Sequence, residues 1–337
     1  MTIRERIEEM EQETLSPYAC LSVNSRGRDR QESECDIRSV FQRDRDRILH
    51  CKAFRRLKNK TQVFLTPTGD HYRTRLSHTL EVSQNARTIA KALRLNEDLV
   101  EAIALGHDLG HTPFGHAGEY TLNQIYEGGF RHYEQSVRTV EKLERDGQGL
   151  NLTWEVRDGI LNHQVHTTPA TLEGRIVRLS DKIAYVNADF DDAIRAQILC
   201  EEDIPLEVRK TIGYDTKTRL DHVIHDIITQ SYNKNDISMS TETAEAFEEL
   251  RQFMFQNVYK NPIAKSEEIK AKAMIEQLYD WYMNHLELLP AKYLRMYEAG
   301  EAKGRVVCDY IAGMTDQFAI SRFNEFFLPK AWQVDGY

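Results

Sequence analysis

The chain has 337 residues, of which 41% are hydrophobic and 29% charged, a composition typical of a folded globular protein and not of a disordered one. A formal net charge of −9 disfavours nucleic-acid binding over the whole surface, and no apolar run reaches the roughly 20 residues that a membrane-spanning helix needs. Five widely spaced cysteines without a CxxC pair, and a charged N-terminus without an apolar signal region, predict a reduced cytoplasmic protein.

The first predicted elements are a charged helix at 1–14, a loop at 15–35 and a helix at 36–60 that Asp36 would cap. Residues 26–60 hold twelve Lys and Arg against six Asp and Glu, so an acidic protein carries one basic segment. Such a run is usually a solvated helix face, and the alternative is an anion site for phosphates or single-stranded DNA.

A hairpin and a series of helices follow. Residues 66–70, with the sequence TPTGD, lie between β-prone flanks and predict one small β-hairpin. Helices are predicted at 77–95, from an Asn96 cap to His107, and at 133–145, 153–163, 171–198, 215–232, 241–258, 266–288 and 300–328. These elements predict a mostly α protein: an N-terminal helix and loop (1–35), a helical-bundle catalytic core (36–200) and a C-terminal helical lobe (201–337).

The densest cluster of reactive side chains is the sequence GHDLGHTPFGHAGE at 106–119, which holds three histidines, an aspartate and a glutamate. It follows the apolar helical run 99–105, and His107 lies four residues after Ile103, so it continues the buried face of that helix. Histidine nitrogen together with aspartate oxygen suits a divalent transition metal or Mg²⁺.

Four residues are candidates for one metal site: His78, His107, Asp108 and Asp181. Neighbouring helical side chains diverge by about 100°, so His107 and Asp108 can reach one ion only where the helix ends or is distorted. Taken alone, His78 is more typical of a cap or surface residue, and Asp181 of an exposed helix position.

The order His78, His107-Asp108, Asp181 resembles the H…HD…D signature of the HD-domain phosphohydrolases. The blocks FQRDRDRILHCKAFRRLKNKTQVF, RTRLSHTLEVSQNARTIA, GHDLGHTPFGHAGE and RLSDKIAYVNADFDDAI resemble the bacterial deoxyguanosine triphosphate triphosphohydrolase (dGTPase) branch. The vertebrate SAM-and-HD-domain dNTP hydrolase is more distantly similar. The resemblance covers about residues 36–195, with an echo at 307–319.

This resemblance implies hydrolysis of a deoxynucleoside triphosphate, with dGTP favoured, at the α-phosphorus. The products would be the deoxynucleoside and tripolyphosphate. The four candidate ligands match the family's positions for a divalent metal that polarises the α-phosphate and helps to activate water. Mg²⁺, Mn²⁺, Fe and Ni²⁺ all fit such a ligand set.

Three residues of the 106–119 stretch match catalytic or phosphate-side positions of the family: His111, His116 and Glu119. We expect His116 to donate a proton to the departing 5′-alkoxide and Glu119 to orient its ring, because residues three apart share one side of a helix. The alternative for His116 and Glu119 is a pair of solvated loop residues, and for His111 and His132 a packed or capping histidine.

Substrate contacts are expected from six residues that match family positions: Gln62, Arg75, His132, Lys182, Tyr185 and Asp189. Arg75 and Lys182 would contact phosphates, and Tyr185 would pack on the sugar where a 2′-hydroxyl would lie. Asp181, Tyr185 and Asp189 recur every four residues and so share one helix face, although a solvated acidic face is the alternative for 189–192. Tyr310 and Asp316 would close the pocket from the C-terminal lobe.

Two other functions stay open. One is an HD phosphohydrolase acting on a nucleoside monophosphate or an alarmone, and the other is a non-catalytic regulator that binds nucleotides or single-stranded DNA. The resemblance also implies a homo-oligomer, often a hexamer in the family, activated by a dNTP or by single-stranded DNA, with no membrane partner.

Overall fold

The structure is a computed structural model that describes residues 1–62, 73–164, 166–259 and 262–329, with only the backbone described at 262–266. Over these ranges the chain forms sixteen α-helices and no strand. They are α1 (Ile3–Thr14), α2 (Val40–Leu49), α3 (Lys52–Arg56), α4 (Arg75–Leu93), α5 (Glu97–Gly106), α6 (Gly115–Ile125), α7 (His132–Arg138), α8 (Trp154–Leu161), α9 (Leu172–Arg195), α10 (Leu206–Ile212), α11 (Thr216–Ser231), α12 (Thr241–Asn257), α13 (Pro262–Asn284), α14 (Ala291–Glu298), α15 (Lys303–Ala312) and α16 (Asp316–Phe327).

The mostly α fold predicted from the sequence is confirmed. The predicted hairpin at 66–70 lies outside the described residues, and its flanks Thr61 and Thr74 form an isolated antiparallel bridge. None of the helices in the described ranges is long and apolar enough to cross a membrane.

The predicted helix at 36–60 is wrong in its bounds. Its first residue is Val40, because Ser39 and not Asp36 is the N-cap, and the Gln42 side chain accepts a hydrogen bond from the Ser39 N–H at 3.2 Å. The helix ends at Leu49, and a new one starts after Cys51, whose Sγ accepts from the Phe54 N–H.

The predicted helix at 300–328 is also two helices, α15 and α16. Thr315 is extended and its hydroxyl accepts from the Phe318 N–H, so it caps α16. By contrast, the Asn96 cap of α5 is confirmed, since its side-chain oxygen accepts from the Leu99 N–H. The helices α6, α10 and α14 were not predicted as separate elements, and α7 ends at Arg138 in a π-helical turn.

Buried apolar side chains form two clusters in the described ranges. The larger one includes residues of α2–α5 and α8–α12, and the smaller one joins α6 to α13–α16. The larger cluster contains residues from both sides of position 200, and the domain boundary there stays a prediction. Helix α5 packs against α2, α4, α8 and α9, and this central position places its C-terminal end, with His107, inside the protein.

Candidate metal and proton-transfer site

His107 follows the last residue of α5 and is fully buried. Its Nδ1 lies 2.7 Å from the Ala104 carbonyl oxygen, which can only accept, so Nδ1 carries the proton. Nε2 is therefore the ring nitrogen that is left for a ligand, and it has no hydrogen-bond partner among the described residues. A neutral imidazole whose other nitrogen is held by a backbone carbonyl is the form that binds metals.

The other three candidate ligands lie beside this nitrogen. Asp181 Oδ1 on α9 is 3.7 Å from His107 Nε2 and 3.0 Å from His78 Nε2 on α4. Asp108 Oδ1 is 3.5 Å from the same His107 nitrogen. Ligand atoms of His78, His107 and Asp108 all lie within 4.8 Å of one another, and the three residues are buried. Two imidazoles, two carboxylates and one unpartnered buried nitrogen fit a divalent metal.

Arg75 joins this cluster from the first residue of α4. Its Nη1 donates to Asp108 Oδ2 at 2.8 Å, and its buried Nε and Nη2 have no partner in the described part of the chain. Burial favours the neutral form of Asp108, but His107, His111 and Arg75 more than offset this and hold the pKa of its carboxyl well below the usual range. The Arg75 side chain thus offers unused N–H groups next to a carboxylate that stays ionised.

His111 and His132 form the next layer of the site. His111 Nε2 lies 3.2 Å from Asp108 Oδ1, and burial lowers the pKa of this imidazole well below its usual value. The rings of His111 and His132 stack with centroids 3.9 Å apart. Both residues are buried, so the packed-histidine interpretation and a site role are both compatible with their positions.

His116 and Glu119 lie beyond a turn at the start of α6. The His116 side chain is 81% exposed, and its Nδ1 is 3.5 Å from Glu119 Oε2. Glu119 makes shorter contacts with His132, accepting from its backbone N–H at 2.9 Å and lying 2.9 and 3.0 Å from its Nδ1. Burial lowers the pKa of His132, but the Glu119 carboxylate outweighs it, so the pKa is raised. Glu119 therefore binds His132 more closely than His116.

His163 belongs to the same cluster and was not predicted. Its Nδ1 lies 2.7 Å from the Ile160 carbonyl, and its Nε2 is 3.3 Å from His132 Nε2. Its ring centroid is 5.1 Å from that of His107, and burial lowers its pKa to about 4. The only sequence signal was a polar run, Asn162-His163-Gln164, at the end of a predicted helix, and such a run does not indicate burial.

The three residues on α9 that are predicted to contact substrate differ in their surroundings. Asp189 is buried and accepts from the Tyr259 hydroxyl, and burial raises the pKa of its carboxyl to about 7. Tyr185 lies near Arg251, and burial raises the pKa of its hydroxyl. The Lys182 ammonium, in contrast, donates to Glu248 at 2.9 Å.

Three further predicted residues lie near the turn or in the smaller cluster. Gln62 is buried, and its Oε1 has no partner in the described ranges. The Asp316 carboxylate accepts from the Phe114 N–H at 2.9 Å, so it reaches the turn that precedes His116. Tyr310 packs against Tyr282 and Tyr293 in the smaller cluster.

Most arginines of the basic segment 26–60 form ion pairs within the chain. The pairs are Arg28–Asp44, Arg38–Asp46, Arg43–Glu32, Arg47–Glu32 and Arg45–Asp98. These contacts neutralise part of the segment, and its binding of phosphates or DNA stays a prediction.

Comparison with known proteins agrees with this arrangement. Residues 75–186 match the HD domain, and residues 237–325 match the phosphohydrolase-associated domain. A deoxyguanosinetriphosphate triphosphohydrolase-like protein of Caldanaerobacter subterraneus subsp. tengcongensis is 57% identical over 332 residues, which cover 98% of each chain. One of Clostridium perfringens is 49% identical over 339 residues, covering 98% of this chain and 99% of that one. The solved structure of a Bacteroides thetaiotaomicron phosphohydrolase, 16% identical with a TM-score of 0.52, covers 83% of this chain and 68% of that one and shares the fold.

Proposed function

Because the chain belongs to the deoxyguanosinetriphosphate triphosphohydrolase-like family of HD-domain phosphohydrolases, we propose that it hydrolyses deoxynucleoside triphosphates, with dGTP favoured, to the deoxynucleoside and tripolyphosphate. One observation carries the proposal. The buried His/Asp cluster, the unused N–H groups of Arg75 and the exposed His116 all lie on or against the 106–119 stretch. This stretch therefore offers a metal, a phosphate and a proton-donor site side by side.

His78, His107, Asp108 and Asp181 would hold the divalent metal, for which Mg²⁺, Mn²⁺, Fe and Ni²⁺ are all suitable. When bound, the metal supplies Lewis-acid polarisation of a phosphoryl oxygen and a lowered pKa for bound water. The backbone carbonyl of Ala104 fixes the His107 ring so that Nε2 faces the cluster.

Arg75 would bind the triphosphate. Its Nε and Nη2, which have no partner among the described residues, can donate two hydrogen bonds to phosphate oxygens, while Nη1 remains on Asp108. The raised pKa of His132 favours a second positive charge in the same cluster, which its contact with Glu119 maintains. These two cations would orient the phosphates and offset their negative charge.

His116 would act as the general acid. As water oxygen bonds to the α-phosphorus and the bond from phosphorus to the 5′-oxygen breaks, the imidazolium of His116 gives its proton to that oxygen, and the water proton passes to solvent. Exposure lets His116 regain a proton from solvent after each turnover. The Glu119 carboxylate, whose Oε2 lies 3.5 Å from His116 Nδ1, would orient the ring.

The deoxynucleoside would lie along α9. Tyr185 would pack on the sugar and leave no room for a 2′-hydroxyl, and Gln62 and Asp189 would contact the sugar or base. Asp189 and the unpartnered amide oxygen of Gln62 are buried polar groups of the kind that bind a ligand by hydrogen bonds.

The same family membership supports a cytoplasmic homo-oligomer, such as a hexamer, that a dNTP or single-stranded DNA activates. Light scattering of the purified chain, alone and with dNTP or an oligonucleotide, should give a mass at least twice the 39.2 kDa of one chain. A monomer under all three conditions would contradict this part of the proposal.

Product analysis tests the central part. The protein is incubated with each dNTP, with GTP and with dGMP in the presence of Mg²⁺ or Mn²⁺, and the products are separated by anion-exchange chromatography. We expect tripolyphosphate and a deoxynucleoside from dNTPs, and little reaction with GTP. Release of pyrophosphate or orthophosphate, or turnover of dGMP alone, would contradict the proposal.

A further inference from the structure

Residues 60–62 lie between the site and the smaller apolar cluster. Lys60 is 2% exposed, and its ammonium donates to the carbonyl oxygen of His111 and, at 2.7 Å, to that of Ala312 at the end of α15. A buried ammonium is costly unless its hydrogen bonds are made, so these contacts hold the two carbonyls at a fixed separation.

Asp316, the first residue of α16, makes a second connection. It is 4% exposed, and Oδ2 accepts from the Thr61 N–H at 2.9 Å and from the Thr61 hydroxyl. Oδ1 accepts from the Phe114 N–H at 2.9 Å. One buried carboxylate thus binds both the 60–62 segment and the turn before α6.

That turn has an unfavourable backbone. Phe114 has φ = 62°, a left-handed conformation that a bulky side chain rarely adopts, and Gly115 follows with φ = 54°. Such a conformation persists only where neighbouring contacts maintain it. The bond from the Phe114 N–H to Asp316 and the burial of its ring in the smaller cluster are these contacts. His116 is the next residue but one, so its direction depends on this turn.

The 60–62 segment also reaches the metal side of the site. The Arg75 N–H donates to the Lys60 carbonyl at 3.1 Å, and Thr61 forms its β-bridge with Thr74. These bonds lie at the start of α4, which carries Arg75 and, one turn on, His78. The segment is therefore in contact with the phosphate and metal side, the turn, and the C-terminal helices.

We propose that Lys60 and Asp316 are positioning residues through which α15 and α16 hold the Phe114 turn, and with it His116, in its working orientation. In this arrangement the two residues do not touch the reacting atoms but act through the backbone of His111, Thr61 and Phe114. The catalytic role of His116 rests on the proposed function, whereas the control of the turn does not.

The chain contains a matched control. Asp44 on α2 is fully buried, and its Oδ2 accepts from both the N–H and the hydroxyl of Thr153, each at 2.7 Å. Its other partner is Arg28. The pair Asp44 and Thr153 thus repeats the bonding of Asp316 and Thr61 without a contact to the turn.

Hydrogen–deuterium exchange of the full chain with Mn²⁺ tests the proposal directly. In Asp316→Asn we expect the amides of 111–118 to exchange about tenfold faster, the factor that loss of one hydrogen bond to a charged group produces. In Asp44→Asn the same amides should stay within about twofold of wild type. Unchanged exchange in Asp316→Asn, or equal acceleration in Asp44→Asn, would overturn the proposal.

The milder pair Thr61→Val and Thr153→Val decides the question if Asp316→Asn does not fold. Each removes one hydroxyl bond to a carboxylate and keeps the side-chain shape, and only Thr61→Val should accelerate exchange at 111–118. If neither does, the proposal is wrong.

Kinetics supply a second readout. In Asp316→Asn we expect kcat for dGTP to fall about 10- to 100-fold through misplacement of His116, with KM within about threefold and metal content unchanged. Faster exchange together with wild-type kcat would overturn the positioning role. If the wild-type chain releases no tripolyphosphate, the proposed function fails, and the exchange experiment still decides whether Asp316 holds the turn.

Discussion

The 106–119 stretch has a buried half, which carries His107 and Asp108, and an exposed half, which carries His116. The two halves differ in how firmly their histidine side chains are held. His107 is fully buried, with one ring nitrogen bound to the Ala104 carbonyl, whereas the His116 side chain is 81% exposed and contacts the Glu119 carboxylate at 3.5 Å. A metal ligand must be fixed before the ion binds, since reorganisation weakens binding. A proton donor must exchange with solvent between turnovers, which requires exposure. The difference in burial follows from the two tasks that we propose.

Glu119 belongs to the exposed half but also contacts His132, a buried histidine outside the 106–119 stretch. It contacts His132 more closely than His116, so the carboxylate that was expected to serve the exposed histidine is anchored on the buried one. Of the following variants, given in order of decreasing expected effect, the first three test one half at a time and the fourth tests Asp189 on α9.

His107→Ala should abolish metal binding, which we assign to the buried half. Loss of a metal ligand should lower turnover by more than the roughly 100-fold that loss of an outer-shell partner costs, and bound metal should be lost with it. Elemental analysis of the purified protein and tripolyphosphate release measure the two effects. His225→Ala, at an exposed position on α11, is the control and should change neither. Retention of both metal and turnover in His107→Ala would exclude it as a ligand.

His116→Ala should remove proton donation, which we assign to the exposed half, and leave metal binding intact. We expect turnover to fall by about 10²- to 10⁴-fold, the usual contribution of a general acid, with metal content unchanged. Because the side chain is exposed, the free energy of unfolding should stay within about 0.5 kcal/mol of wild type in urea denaturation. Near wild-type turnover would show that the proton comes from another group.

Glu119→Gln should give a smaller loss, about 10- to 100-fold in turnover, because Glu119 acts on the histidines and not on the substrate. The effect should appear without loss of metal. Glu134→Gln, an exposed glutamate on α7, is the matched control. If Glu119→Gln matches this control in a steady-state assay, the carboxylate has no part in the reaction.

Asp189→Asn should change the pH dependence of stability. Burial raises the pKa of Asp189 to about 7 in the folded chain, above its unfolded value near 4, so the folded state keeps a proton that the unfolded state loses. The stability that this group contributes is therefore lost as pH rises from about 4 to 7. Urea denaturation should show wild type losing roughly 3 kcal/mol more than the variant between pH 5 and 8, at about 1.4 kcal/mol per pKa unit. Parallel pH profiles would contradict the buried, protonated state.

The sequence was sufficient for features that depend on local order. The apolar run of α5, its Asn96 cap and the order of His78, His107-Asp108 and Asp181 are all visible in the chain, and the structure brings the four residues together. Glycine at 313 followed by threonine at 315 is a stop-and-start signal, so the break between α15 and α16 was also within reach of sequence analysis.

Features that depend on pairing between distant residues were not predictable. Lys182 meets Glu248 across 66 positions, and His163 reaches His132 across 31. The left-handed Phe114 is maintained by a carboxylate 202 positions away, and its side chain indicates no such backbone. Sequence periodicity indicates which face of a helix is buried, but not which side chain it meets.

A leaving-group experiment tests most directly whether the buried half of the 106–119 stretch binds the metal and the exposed half donates the proton. Turnover of dGTP and of an aryl triphosphate, whose phenolate leaves without protonation, is measured in wild type, His116→Ala and His107→Ala. We expect His116→Ala to be slow with dGTP and close to wild type with the aryl ester, and His107→Ala to be slow with both. Equal losses of His116→Ala on the two substrates would contradict the assignment of His116 as the proton donor.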